Sequence, residues 1–226
     1  MKKFRSFLPL VFLILLAACS RKLDLAEPKE FYPIQDGKFR TYSVKDSSYT
    51  TTGAVGRSFF QKELTNGTEI DLKGRVVSKL EIQQADSGQQ FQFFQVWTQY
   101  KDREAAERIQ GNTKYIVLRF PAAKGKNWDG NQFNNFGAMN YTYLSTDTTV
   151  TVAGKEYTNC AWVLRRQSDP DSRQFSFLSY EIYAPGIGKI KQYDRYIEYI
   201  IREGRPPQID SDKSYHYEED LLEHNY

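Results

Sequence analysis

From Phe31 to Glu203 the chain alternates apolar and polar residues over short stretches rich in aromatic and β-branched side chains, with turn residues recurring between them. A period of two broken every ten residues or so describes an antiparallel β meander. It predicts strands over residues 38–51, 57–64, 69–84, 89–100, 114–120, 140–145, 149–152, 156–166, 173–183 and 189–201. Asn66-Gly67 and Asp129-Gly130 tolerate positive φ, Ala153-Gly154-Lys155 joins two strands, and Asp169-Pro170-Asp171-Ser172 presets a type I turn. In Phe175–Tyr183 one face carries Phe175, Phe177, Ser179, Glu181 and Tyr183 and the other Ser176, Leu178, Tyr180 and Ile182. Both faces hold apolar groups, so this strand is expected to be covered on both sides. Only Asp102–Gln110 strings together good helix formers, closed by Gly111-Asn112, and it is expected to form a short helix.

The N-terminus follows a different pattern. Lys2, Lys3 and Arg5 precede an apolar run from Leu10 to Ala18, shorter than the roughly 20 residues that span a bilayer. Small residues then lead into a cysteine, and Leu16-Ala17-Ala18-Cys19 resembles the lipobox of bacterial lipoproteins. That resemblance implies a signal peptide over residues 1–18 and acylation of Cys19. Each buried methylene then contributes about 0.8 kcal/mol, and two or three chains hold a protein at a membrane where one does not. Residues 19–30, with Pro28, read as the acylated residue and a flexible tether. Ser20 after the cysteine, and the lack of an acidic cluster near Arg21 and Lys22, fit an outer-membrane lipoprotein on the periplasmic face.

Charge narrows the classes of partner. The chain's excess of three basic residues is Lys2, Lys3 and Arg5, so the remainder balances 28 Lys and Arg against 28 Asp and Glu. Without a basic stripe, counterion release has no source and nucleic acid is not an expected partner. With Cys19 committed to the anchor, Cys160 is the remaining thiol, set in an apolar strand where it reads as a small buried hydrophobe. A single domain over residues 31–203 is long enough for a substantial core. Beyond Arg205-Pro206-Pro207 the chain turns acidic, and residues 204–226 are expected to remain a disordered tail or to order on an envelope protein.

The two histidines, His216 and His224, both fall in that tail, so neither a histidine-based nucleophile apparatus nor a histidine metal site is expected, and no cofactor or metal either. Carboxylates are plentiful, which leaves glycosidase-type chemistry open by inventory alone. The loop over residues 124–137 offers Trp128 and Phe133 for stacking and Asp129, Asn131 and Asn134 as oxygen ligands; the favoured reading of its aromatics is a plug at the end of a barrel. Phe91, Phe93, Phe94 and Trp97 supply an aromatic run. Together with Trp128, Asp129 and Asn131, the residues Phe91, Phe93 and Trp97 are the candidate ligand-binding set. Asp147-Thr148-Thr149, placed at an expected hairpin tip, resembles a short O-glycosylation sequon of Bacteroidetes, which makes Thr148 the acceptor. In Tyr183-Ala-Pro-Gly-Ile-Gly188, Pro185 fixes φ, Gly186 allows the positive φ of a type II turn, and Gly188 permits close packing where the chain re-enters a strand.

Phe31-Tyr-Pro-Ile-x-x-Gly37, Gly125-Lys-Asn-Trp-Asp-Gly-Asn131, Val152-Ala-Gly-Lys-Glu-Tyr-x-Asn-Cys160 and Glu181-Ile-Tyr-Ala-Pro-Gly-Ile-Gly188 resemble, in order and spacing, a family of uncharacterised Bacteroidetes lipoproteins. The closing motif is similar to that of TapB-like and DUF3108-like domains, whose shape is likened to carriers of the LolA and LolB kind. The resemblance implies an all-β fold, a curved antiparallel meander forming an open or half barrel with at most one or two short helices. Three functions remain open: a non-catalytic binding module for a lipid, other apolar or glycan ligand, a structural lipoprotein that binds another envelope protein, and a carboxylate-based hydrolase.

Overall fold

The computed structural model describes residues 29–50, 53–169 and 171–226. Cys19, the expected signal peptide and the tether as far as Pro28 lie outside the described residues, as does Pro170. Among the described residues thirteen strands form: β1 (Phe39–Thr50), β2 (Gly53–Ile70), β3 (Val76–Ala85), β4 (Gln92–Lys101), β5 (Ala105–Gln110), β6 (Thr113–Arg119), β7 (Asn127–Asp129), β8 (Asn140–Val152), β9 (Lys155–Gln167), β10 (Phe175–Ala184), β11 (Gly188–Ile200), β12 (Gln208–Ile209) and β13 (Tyr215–His224). All pair antiparallel in the order β6-β5-β4-β3-β2-β1-β13-β11-β10-β9-β8-β7, with β12 beside β11. The fold is the all-β, curved antiparallel meander, and no helix occurs among the described residues.

Two local expectations are corrected. Asn66-Gly67 does not end a strand; it is a bulge inside β2, where the register to β3 shifts between Thr65 and Thr68 and Gly67 takes φ +74°. Residues 105–110 of the expected helix are strand β5, paired with β4 on one edge and β6 on the other. Helix propensity distinguishes these residues by only a few tenths of a kcal/mol each. Strand pairing also seats the Glu107 carboxylate between Arg75 at 2.9 Å and Lys114 at 3.1 Å, contacts a helix would lose.

The largest correction concerns residues 204–226. Instead of a disordered tail they supply β12 and β13, and β13 lies between β1 and β11 in the middle of the sheet. Its acidity is complemented across the ladder: Lys191 holds Glu218 at 2.5 Å and Asp220 at 2.6 Å, and Lys189 holds Glu219. Alternation survives beneath the charge, with Glu219 and Leu221 both buried. Net charge and composition cannot separate such a strand from a solvated tail, because its partners lie far away in sequence.

The sheet curls until its two ends meet. Near Ile116 of β6, the Ile116 N–H donates to the Gly130 carbonyl just after β7, and Trp128 Nε1 donates back to the Ile116 carbonyl at 3.0 Å. Tyr143 of β8 donates its hydroxyl to the Arg119 carbonyl at 3.0 Å. One core gathers at this seam, from Phe31, Tyr32, Ile116, Leu118, Trp128, Tyr141, Tyr143 and Val163. A second joins Val152, Tyr157 and Cys160 of the β8–β9 hairpin to Ile182, Ile190 and Leu221. Between them the sheet encloses a set of side chains that is mainly polar.

Candidate functional site

Residues opposite each other on paired strands share a face, and the pairs Arg40↔Glu63, Tyr42↔Gln61, Gln192↔Glu219 and Glu181↔Gln192 carry polar groups across five strands. Arg40, Gln61, Glu63, Glu181, Lys189 and Glu219 are all buried. They form a connected network: Glu63 lies 3.3 Å from Arg40 Nε and 3.4 Å from Lys189 Nζ, Lys189 also holds Glu219, and Gln61 Nε2 donates to Glu219 at 2.8 Å. Burial alone would raise the Glu63 pKa, but Lys189 and Arg40 beside it, with Arg108, outweigh that and hold it at about 2. Burial likewise opposes the charge on Lys189, yet Glu219 and Glu63 keep its pKa above the ordinary lysine value. Both groups are therefore ionised at neutral pH, and their geometry is that of a paired scaffold.

The network continues to a half-open cavity of about 220 Å³ between β5–β6 and β8–β11, the two limbs that the curl brings face to face. Arg108 and Arg165 enter it, Tyr115, Val117, Met139 and Tyr141 give it an apolar wall, and Glu181 and Gln192 form part of the floor. Arg165 from β9 spends its charge on protein: Glu181 at 3.5 Å, Asp194 at 3.7 Å, and a bond from Nε to the Tyr141 hydroxyl at 3.3 Å. Glu181 also accepts from the Tyr183 hydroxyl. Burial works to raise the Glu181 pKa, and Arg165, Arg108 and Lys189 bring it below the usual carboxylate range.

Arg108 differs from these neighbours. It is 4 % exposed, its Nε is buried without an acceptor, and among the described residues its side chain forms no hydrogen bond or ion pair. Its guanidinium carbon lies over the Trp97 ring, 5.7 Å from the ring centroid. Strand pairing places it opposite Gln99 on β4 and Tyr115 on β6, so its direction into the interior is fixed by the ladder.

The residues singled out from sequence are dispersed. Phe91 and Phe93 are exposed, at 37 % and 65 %, while Trp97 is half-buried beneath Arg108. Trp128 is buried at the seam, edge-on to Tyr141 at 5.7 Å, and so fills the barrel end as a plug. Asp129 accepts from the Asn131 and Met139 N–H groups, both at 2.9 Å, and shapes the loop. Asn131 is buried, donates to the Gly137 carbonyl at 2.8 Å, and borders the cavity. Gly130 does not use positive φ; a Cβ there would strike the Tyr141 ring.

The β10–β11 corner has the anticipated geometry, with Ile187 N–H donating to the Ala184 carbonyl across Pro185 and Gly186, and Gly186 at φ +74°. A Cβ on Gly188 would collide with Arg40 Nη1, which donates to the Ile187 carbonyl at 3.0 Å. Thr148 sits within β8 opposite Cys160, half-buried between two register shifts, and not at a hairpin tip, which falls at Ala153-Gly154. The network residues were not anticipated. Their signal is a charge in the phase of the core, as in Arg40-x-Tyr42-x-Val44 and Gln61-x-Glu63-x-Thr65.

Fold and cavity together define a curled antiparallel β protein with an ion-paired interior. No family model and no curated protein matches the chain. Two solved structures are similar to it. One, described as an exported protein with a YmcC-like fold from Bacteroides fragilis, is 12% identical with a TM-score of 0.44, covering 88% of this chain and 100% of that one. The other, described as a lipoprotein from Parabacteroides distasonis, is 11% identical with a TM-score of 0.45, covering 87% and 99%. Both likenesses are too loose to carry function across.

Proposed function

We propose that this protein is a non-catalytic binding module of the cell envelope, tethered through Cys19 to the outer membrane on its periplasmic face, whose ligand enters the cavity between β5–β6 and β8–β11. The observation that carries this reading is a cavity of about 220 Å³ lined by an aromatic wall and by a buried arginine, Arg108, whose side chain has no hydrogen-bond acceptor. Small-ligand sites are concave and use a few fixed polar groups to set orientation, and this cavity is on the polar side of that class, with Arg108, Arg165, Glu181 and Gln192 in its lining. Hydrolysis by a carboxylate pair needs one carboxyl that stays protonated as the acid. Glu63 and Glu181 are instead held ionised by their cationic neighbours, which favours binding over chemistry. A structural role resting on a free C-terminal tail loses its basis, since residues 215–224 are committed to the sheet.

Native mass spectrometry of the processed protein, released from nanodiscs after exposure to envelope extract, tests the reading. A stoichiometric small-molecule adduct, absent when Gln110→Trp blocks the cavity from its half-buried rim, supports it. An unliganded mass in both proteins overturns it.

A further inference from the structure

We infer that the ligand of this cavity carries a carboxylate, received by the guanidinium of Arg108, with a short apolar or aromatic body against Tyr115, Val117 and Tyr141. The inference rests on the binding-module reading and gives it a ligand class. A guanidinium presents five N–H donors in a planar fork, and in folded proteins such groups are spent when buried. The other cations of the interior obey this: Arg40 holds Glu63 and the Ile187 carbonyl, Lys189 holds Glu63 and Glu219, and Arg165 holds Glu181, Asp194 and the Tyr141 hydroxyl. Arg108 alone among them has no acceptor, although it is buried and borders a cavity.

The carboxylates whose charge bears on Arg108, Glu63 and Glu181, are paired with other cations and each accepts a tyrosine hydroxyl, from Tyr42 and Tyr183, although Glu63 Oε1 meets Lys189 only as an ion pair at 3.4 Å. Gln99, opposite Arg108 on β4, leaves its Oε1 without a partner, while two amides of the cavity lining are engaged. Asn131 donates to Gly137 and accepts from Asn134, and Gln192 accepts from Lys189 and donates to Asp194. What the chamber still lacks is an acceptor with two oxygens in one plane, which a carboxylate supplies in the bidentate geometry the fork matches. A volume of about 220 Å³ lies below the range of drug-sized sites, so the body attached to that carboxylate is no larger than a single ring or a short chain.

Fluorine NMR titration of the processed full-length protein in nanodiscs, with para-fluorobenzoate and its neutral counterpart para-fluorobenzyl alcohol, tests this. The expected result is saturable binding of the carboxylate at least tenfold tighter than the alcohol, abolished by Gln110→Trp, with the preference removed by Arg108→Gln. The preference in the unmodified protein stands as a readout even if Arg108→Gln does not fold. Equal binding of both probes, both lost in Gln110→Trp, overturns the carboxylate and leaves the binding module intact. Saturable binding of neither probe, alongside an envelope adduct that Gln110→Trp removes, also overturns the carboxylate assignment; the absence of both overturns the module with it.

Discussion

Replacing Gly188 by alanine isolates the link between the β10–β11 corner and the buried network. Gly188 has φ +96°, and holding an alanine in that region costs about 1–2 kcal/mol. The added Cβ would also occupy the place of Arg40 Nη1, which displaces it from the Ile187 carbonyl, and because the buried side chain has no solvent to swing into, the shift is expected to draw Nε away from Glu63 as well. Its side chain is 3% exposed and that of Glu63 0%, and breaking a pair so buried costs about 3–5 kcal/mol. Lys189 still faces Glu63 at 3.4 Å, which places the loss at the lower end of that range. The sum is about 4–5 kcal/mol, a large part of the 5–15 kcal/mol that holds a typical domain folded. Gly186→Ala provides the comparison, because Gly186 has φ +74° with nothing near its absent Cβ, and should cost only the conformational 1–2 kcal/mol or so. Equilibrium urea unfolding of both variants reads the difference. A gap of about 3 kcal/mol is expected; values within 1 kcal/mol or so of each other would refute the claim that Arg40 is locked by the missing side chain.

Other consequences follow from the same contacts. Glu63, held at about 2, and Glu181, also lowered, bind fewer protons folded than unfolded. Their contribution is complete above the ordinary carboxylate pKa of 4.5 and falls away toward pH 2, so the urea midpoint should drop through that window; a flat profile contradicts the pairing. Deleting residues 204–226 removes the strand between β1 and β11, and the truncated chain should lose its cooperative thermal transition, whereas a dispensable tail would leave melting unchanged. Trp128→Phe keeps the ring at the seam but strands the Ile116 carbonyl, for a loss of about 1–3 kcal/mol in chemical denaturation. Cys160 is buried with its thiol pushed up to about 11, so a thiol reagent should react with it slowly in the native protein and fast after unfolding; equal rates would show an open site.

The strand pattern was legible where alternation and turn chemistry agree. Strands β1, β9 and β11 lie close to their expected bounds, and the Pro185-Gly186 corner has the turn its residues demand. Sequence misled where local preference and tertiary pairing conflict. Ala105–Gln110 favours a helix in isolation, but two flanking strands and the cations around Glu107 outweigh a weak propensity. Glu218, Glu219 and Asp220 read as a solvated run because Lys189 and Lys191, which neutralise them, are remote until the sheet assembles. The cavity was illegible for a related reason. Arg108 sits in the stretch taken for a helix, and its isolation from acceptors is a property of the closed sheet that no window of sequence contains. Aromatic abundance drew attention to Phe91 and Phe93, which the fold leaves at the surface.

The most direct test of a ligand site inside an ion-paired interior is a crystal structure of the processed protein grown with para-fluorobenzoate, at a resolution that shows ordered water. The account predicts the carboxylate within hydrogen-bond distance of Arg108, the ring against Tyr141, and Arg40, Glu63, Lys189 and Glu219 paired as described. Arg108 turned onto a protein acceptor such as Gln99 or Glu181, with the chamber closed behind it, would contradict it.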